Sequence, residues 1–177
     1  FMFQKNTNLL EENNIRAIYQ SDNGILWLGT RDKGLLKLDN HHQLLAQYLH
    51  NDNDEKSLIS NDVRKIYKDR QGRLWIATRG GISLLDEKTG RFTTILKGNI
   101  SDIPSFVFSV SEDRNGDIWF ASLSGLKRFN ETTKQVELVD KREGVETHPA
   151  LRTLLEDRNS NIWLASEVGG ITCLKRI

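Results

Sequence analysis

At 177 residues the chain has the length of one medium domain and can bury a substantial core. Lys plus Arg number 25 and Asp plus Glu 24, so the net charge of +1 excludes an overall field that would draw in nucleic acid or an anionic membrane. The 37% hydrophobic and 28% charged residues are those of a folded globular protein, and its one cysteine, Cys173, cannot form an internal disulfide.

No apolar run approaches the roughly 18 residues of a membrane span, so direct membrane insertion by this segment is not expected. The chain opens Phe1-Met2-Phe3, and the distance to Ile15 places residues 1–12 as the end of a preceding outer strand plus a loop. Strands are then predicted over 15–19, 26–30, 35–38 and 44–49, with His41-His42 in the third turn. Residues 50–57 (HNDNDEKS) are polar and aperiodic, and are expected to form an exposed, mobile loop.

A second unit follows the same order. Residues 63–67 (VRKIY) read as an alternating strand, and Asp69 to Gly72 have the chemistry of a tight hairpin. The apolar run 74–78 reads as a strand buried on both faces, Arg79-Gly80-Gly81 as a turn, and 82–85 and 91–95 as two more strands. The third unit repeats this at 106–110, 118–122, 126–129 and 136–139. The fourth ends its third strand at 171–174, with no fourth strand after it.

Each unit carries one tryptophan, Trp27, Trp75, Trp119 and Trp163, at spacings of 48, 44 and 44 residues. Strand-rich repeats of 40 to 50 residues predict propeller blades. The fold class is therefore all-β, with blades of four antiparallel strands, about four repeats over 13–60, 61–104, 105–149 and 150–177, and a single segment of a larger ring. A blade cannot bury both faces alone, so blades stack, and each Trp is expected at a stacking surface with the small residues Gly29, Ala77, Ala121 and Ala165 beside it. Burying such a Trp removes roughly 150 to 250 Å² from water, about 4 to 6 kcal/mol gross.

The recurring DRQGRLWIATRGGISLL of residues 69–85, with its copies from Ser21, Asp113 and Asp157, resembles the two-component regulator propeller repeat. Asp69, Gly72, Leu74, Trp75, Ala77, Thr78, Gly81 and Ile82 carry the resemblance. Ser21 stands where the other units have Asp, Ser160 where they have the turn Gly, and one extra residue precedes Gly34 and Gly170. The resemblance implies a periplasmic sensor region of a hybrid two-component histidine kinase, in rings often of seven blades. It also implies detection of an oligosaccharide or other small ligand, signalling through the rest of the sensor chain, and a homodimer.

Candidate site residues fall into three sets. Asp69, Asp113 and Asp157 recur before a turn and are expected to accept backbone N–H groups there, not to catalyse. Arg16, Arg64 and Arg152 occupy one position of the innermost strand, with Phe108 in the third unit; converging guanidiniums would suit carboxylate, sulfate or phosphate, while pairing with neighbouring acids is the competing structural role. Arg31, Asp32, Arg79 and Glu167 lie in loops after the Trp strand, and His148 lies in a loop entering the innermost strand, all on one face by propeller topology. The four histidines have no metal-ligand spacing, and no cofactor or metal is expected. An enzyme of lactonase or lyase type, or a purely structural interaction platform, is the alternative function.

Overall fold

The computed structural model describes residues 14–97, 106–139 and 149–175. Among them are fifteen strands and no helix, arranged in four separate antiparallel sheets whose strands follow chain order. The first blade is β1 (Ile15–Gln20), β2 (Leu26–Thr30), β3 (Leu35–Leu38) and β4 (Leu44–Tyr48). The second is β5 (Val63–Lys68), β6 (Leu74–Thr78), β7 (Gly81–Asp86) and β8 (Arg91–Lys97). The third is β9 (Val107–Glu112), β10 (Ile118–Ser122), β11 (Gly125–Asn130) and β12 (Gln135–Leu138), and the fourth is β13 (Leu151–Glu156), β14 (Ile162–Ser166) and β15 (Gly170–Leu174). The first strands β1, β5, β9 and β13 are sequential neighbours, so they form the inner row of a fan of stacked blades. The all-β propeller class read from the sequence is the observed one, and no described helix is long and apolar enough to cross a membrane.

Three cores lie between successive blades. Trp27, Leu35 and Leu74 belong to the first; Trp75, Ile82, Val110, Phe120 and Phe129 to the second; Ala121, Leu126, Leu154 and Leu164 to the third. Trp75 meets Phe129 edge-on with ring centroids 5.2 Å apart, the arrangement that aromatic quadrupoles favour. Gly29 is small for a packing reason, since a Cβ there would come within 2.6 Å of Val63 on the next blade. Burial of the tryptophans is graded: Trp27 and Trp75 are fully buried, Trp119 is half-buried, and Trp163 is 41% exposed because no described blade follows the fourth.

The hairpins joining the first two strands of each blade are superimposable in their bonding. Gly24, Gly72, Gly116 and Ser160 each donate to the carbonyl three residues back, at 2.9–3.1 Å. The substitution at Ser160 therefore leaves the turn shape unchanged, but it holds a non-glycine residue at φ 63°. Left-handed backbone costs an L-residue about 1–2 kcal/mol, partly offset by the extra unfolded-state freedom of glycine. Ser160→Gly is thus expected to stabilise the fourth blade by about 0.5–1 kcal/mol, read by urea unfolding. A loss of stability would show that the Arg114 contact to Ser160 Oγ, 3.4 Å away, outweighs the strain.

The repeated aspartates do more than fix the turn. Asp69 accepts from the Arg73 backbone at 2.8 Å and from Trp75 Nε1 at 2.7 Å; Asp113 and Asp157 likewise accept from Trp119 and Trp163 at 3.1 and 2.9 Å. The Trp163 and Asn161 donors hold the Asp157 carboxyl well below the usual carboxylate range. In the first blade Ser21 bonds instead to the Ile25 carbonyl, and Trp27 Nε1 is buried with no hydrogen-bond partner among the described residues.

Two expectations need correction. Residues 50–57 are exposed for the most part, yet they are a braced turn, not a mobile loop: Asn51 N–H donates to Ser57 Oγ, Asp54 caps Lys56 N–H, Phe92 N–H donates to the Lys56 carbonyl, and Arg91 reaches Asp54 at 3.1 Å. The polar side chains that make the stretch look unstructured are the groups that bond it together, and Leu58 anchors its end in the first core. Second, the inner strands do not alternate, for the reason given next.

Candidate functional site

In all four inner strands the pairing register slips by one residue at the same place. Ile15 and Ala17 oppose Thr30 and Gly29, so Arg16 is the extra residue; the same count leaves Arg64, Phe108 and Arg152 unpaired. A bulge re-aims the side chain it inserts. The chain thus uses four equivalent bulges to turn Arg16, Arg64, Phe108 and Arg152 off the sheets and toward one another.

They form a strip. Arg16 Nε lies 3.5 Å from Asp62 Oδ1, and Arg64 donates to Asp62 Oδ2 at 2.7 Å, so two blades share one carboxylate. Arg64 and Arg152 face the Phe108 ring at 5.5 and 4.0 Å, and Arg152 pairs with Glu167. Phe108 keeps two like charges apart while offering each its ring face. Three guanidiniums meet two carboxylates, leaving one positive charge in excess. Arg16 Nε and Arg64 Nε are buried without hydrogen-bond partners among the described residues, so Asp62 balances their charge without filling their donor geometry.

A cleft of about 250 Å³ adjoins the strip, lined by His50, Ile59, Ser60, Asn61, Arg79, Gly80 and Phe106. Phe106 stacks on Phe108 with centroids 6.1 Å apart and carries the Arg79 guanidinium at 5.0 Å over its ring. Arg79 N–H donates to the Asp62 carbonyl at 2.9 Å, tying the cleft wall to the residue that the strip shares. Its far wall is held by His50, whose two ring nitrogens lie 2.7 Å from the Leu58 carbonyl and 2.9 Å from Asp52.

Of the candidate residues, Arg16, Arg64, Arg152 and Glu167 are thus brought together in the strip, and Arg79 into the cleft. Arg31 and Asp32 are exposed in the first blade's turn, away from the cleft lining, with Arg31 N–H bonded to the Asn14 carbonyl. His148 lies outside the described residues. Asp69, Asp113 and Asp157 sit at the opposite hairpins, each engaged with its Trp. Asp62 lies in a loop entering the innermost strand, where the sequence places part of a polar recognition rim, whereas Phe106 joins the site without a distinguishing mark; the bulge has one, because the apolar pairs Val63/Ile66, Val107/Val110 and Leu151/Leu154 are three residues apart, where an unbroken strand would space them by two.

Three segments, residues 9–32, 57–80 and 101–124, match the family model described as two component regulator propeller. Each match runs from the approach to an inner strand through the Trp strand. Three of the four repeats are thus similar to the two-component regulator propeller repeat. The fourth repeat, outside those matches, has the same bulge and hairpin, and the Asp–Trp bond of the second and third repeats.

No curated protein matches the chain. Among solved structures, the extracellular domain of the hybrid two component system BT3049 from B. thetaiotaomicron aligns with a TM-score of 0.56 at 21% identity over 98% of this chain and 29% of its own. Virginiamycin B lyase from Staphylococcus aureus aligns at 0.65 and 17%, over 96% of this chain and 57% of its own. The computationally designed Ika4 protein aligns at 0.67 and 19%, over 98% and 99%. At these identities the likeness is one of fold, and the propeller repeats span less than a third of the BT3049 domain.

Proposed function

We propose that these repeats are the non-enzymatic ligand-sensing part of a hybrid two-component sensor, facing the periplasm, binding an oligosaccharide and passing the signal to a kinase outside this chain through the geometry of a homodimer. The observation that carries the reading is the convergence of four bulged positions on one rim beside an aromatic-lined cleft. Phe106, stacked on Phe108 and under the Arg79 guanidinium, supplies an apolar wall, Ser60 and Asn61 supply polar groups, and the excess positive charge favours an acidic sugar. A carboxylate arriving at Arg64 competes with Asp62. Freeing Asp62 would loosen its carbonyl bond to Arg79, so occupancy would be felt in the turn of the second blade.

The carboxylates on and beside the inner strands support binding over lactonase- or lyase-type chemistry. Asp62 is taken by Arg16 and Arg64, Glu112 by Arg70 and Glu156 by Arg114, and no group of three metal-ligating side chains converges among the described residues.

Replacing Arg64 by alanine is expected to weaken binding of an acidic oligosaccharide about 10- to 100-fold, the worth of one charge-assisted hydrogen bond, by calorimetry. Unchanged affinity would remove the strip from the site. If no saccharide of a broad panel raises the melting temperature, the repeats are an interaction platform.

A further inference from the structure

The cleft beside the strip has apolar walls and a lip of hydrogen-bond donors. Ile59, Gly80 and Phe106 make the walls, and Gly80 lets them close up, since a Cβ there would stand 3.1 Å from the Ile59 carbonyl oxygen. Most of the polar side-chain atoms around them are engaged within the protein. Both His50 ring nitrogens are taken, by the Leu58 carbonyl and by Asp52; Asn61 Oδ1 accepts the His50 N–H at 2.7 Å, and Ser60 Oγ accepts the Asp62 N–H at 3.3 Å. The side-chain groups left over are the Asn61 amide N–H pair, the Ser60 O–H and the Arg79 guanidinium, all of them donors.

Arg79 is exposed, and its guanidinium, lying 5.0 Å over the Phe106 ring, has no ion pair or hydrogen-bond partner among the described residues. In the strip, by contrast, Arg16 and Arg64 face Asp62, and Arg152 pairs with Glu167. Arg79 is therefore the cation that an incoming anion reaches without displacing an internal one. A lip of donors suits a group that only accepts, and a carboxylate does so while carrying the opposite charge. The side chains of the walls return no hydrogen bond to a hydroxyl, so the group that fills the cleft without a desolvation loss is apolar. Its size follows from the volume. A cavity of about 150 Å³ is enough for benzene, so the cleft's volume of about 250 Å³ takes one aromatic ring with the atoms that link it.

We infer that the cleft takes the aromatic group of a ligand whose carboxylate pairs with Arg79: an acidic sugar that carries an aryl substituent. This rests on the reading of strip and cleft as a saccharide site, and it adds the apolar part of the ligand, which a bare sugar leaves without a role. A carboxylate a short link away from an aromatic ring is also the chemistry of a free aromatic acid, and the probes below separate the two sources.

Calorimetry with phenyl glucuronide, methyl glucuronide, phenyl glucoside and benzoate tests each part in turn. Phenyl glucuronide is expected to bind about 10- to 100-fold more tightly than methyl glucuronide, the worth of burying one aromatic ring, and more tightly than phenyl glucoside, which lacks the carboxylate. Phe106→Ala should shrink the advantage over methyl glucuronide, and Ile59→Thr, which alters another wall, should do the same and serves as the readout if Phe106→Ala does not fold. Arg79→Gln should bring phenyl glucuronide down to the affinity of phenyl glucoside. Equal affinity for the phenyl and methyl glucuronides would overturn the inference and leave the acidic-saccharide site standing. Phenyl glucoside binding as tightly as phenyl glucuronide, an advantage that survives both wall substitutions, or no binding of any of the four would also overturn it. Benzoate binding as tightly as phenyl glucuronide would uphold the aryl cleft and the Arg79 contact while overturning the saccharide reading.

Discussion

Asp69→Ala is expected to destabilise the protein by about 3–5 kcal/mol, the range for breaking a buried charged pair by deleting one partner. The Asp69 side chain is fully buried and accepts from the Arg73 backbone, from Arg73 Nε at 2.6 Å and from Trp75 Nε1. Removing it orphans two buried donors and leaves the Arg73 guanidinium with Glu131 alone, 2.6 Å away on the next blade. Because Trp75 is the centre of the second core, the loss falls on a blade interface as well as on a hairpin. The same substitution at Asp113 should cost less, and at Asp157 least, following the burial of Trp75, Trp119 and Trp163. Urea unfolding of the three variants checks the order; equal losses would mean that the carboxylates act only through the turn. The first blade shows the state such a variant approaches, with Ser21 in place of Asp and Trp27 Nε1 unpaired. There Lys37 over the indole at 5.1 Å and Tyr48 stacked at 6.1 Å take over part of the packing role that Arg73 and the phenylalanines play around Trp75.

Blade architecture was legible because it repeats. Strands β2, β3, β6 and β10 run over the residues predicted for them, since each is a short apolar run closed by turn chemistry at both ends. The alternation that the sequence predicts for the inner strands fails at Arg64, where the register slips. Inspected by spacing, Val63 and Ile66 announce the slip: both are buried, and only an inserted residue brings positions three apart onto one face. The candidate site was half legible for the same reason. The Arg series is visible as a column in the repeats, whereas its partners come from non-repeating places: Asp62 from the loop before β5, Phe106 from the residue before β9. Pairing between them depends on how far the blades fan, which no single repeat encodes. The braced turn at 50–57 is not legible in composition, which records that Asn51, Asp54 and Ser57 are polar, not that they bond within the turn.

Gly81→Ala is expected to cost about 2–5 kcal/mol, combining left-handed strain of about 1–2 with overpacking of about 1–3. Gly81 has φ 134°, and a Cβ there would stand 1.9 Å from the Leu96 carbonyl oxygen in β8, a backbone atom with no rotamer to escape into. Gly170 is the matched control. It occupies the same place in the fourth blade at φ 72°, with nothing within 4 Å of its added Cβ, so Gly170→Ala should carry only the strain, about 1–2 kcal/mol. The difference between the two variants therefore measures how tightly an outer strand closes on the turn. That turn also holds Arg79 and Gly80, which line the cleft, so relief of the clash by shifting the turn would move the cleft wall. Gly81→Ala is accordingly expected to weaken ligand binding while Gly170→Ala leaves it unchanged, read by denaturation and calorimetry on the same preparations. Equal losses of stability would show that β8 yields to the added methyl, and unchanged affinity in a destabilised Gly81→Ala would separate the turn from the site.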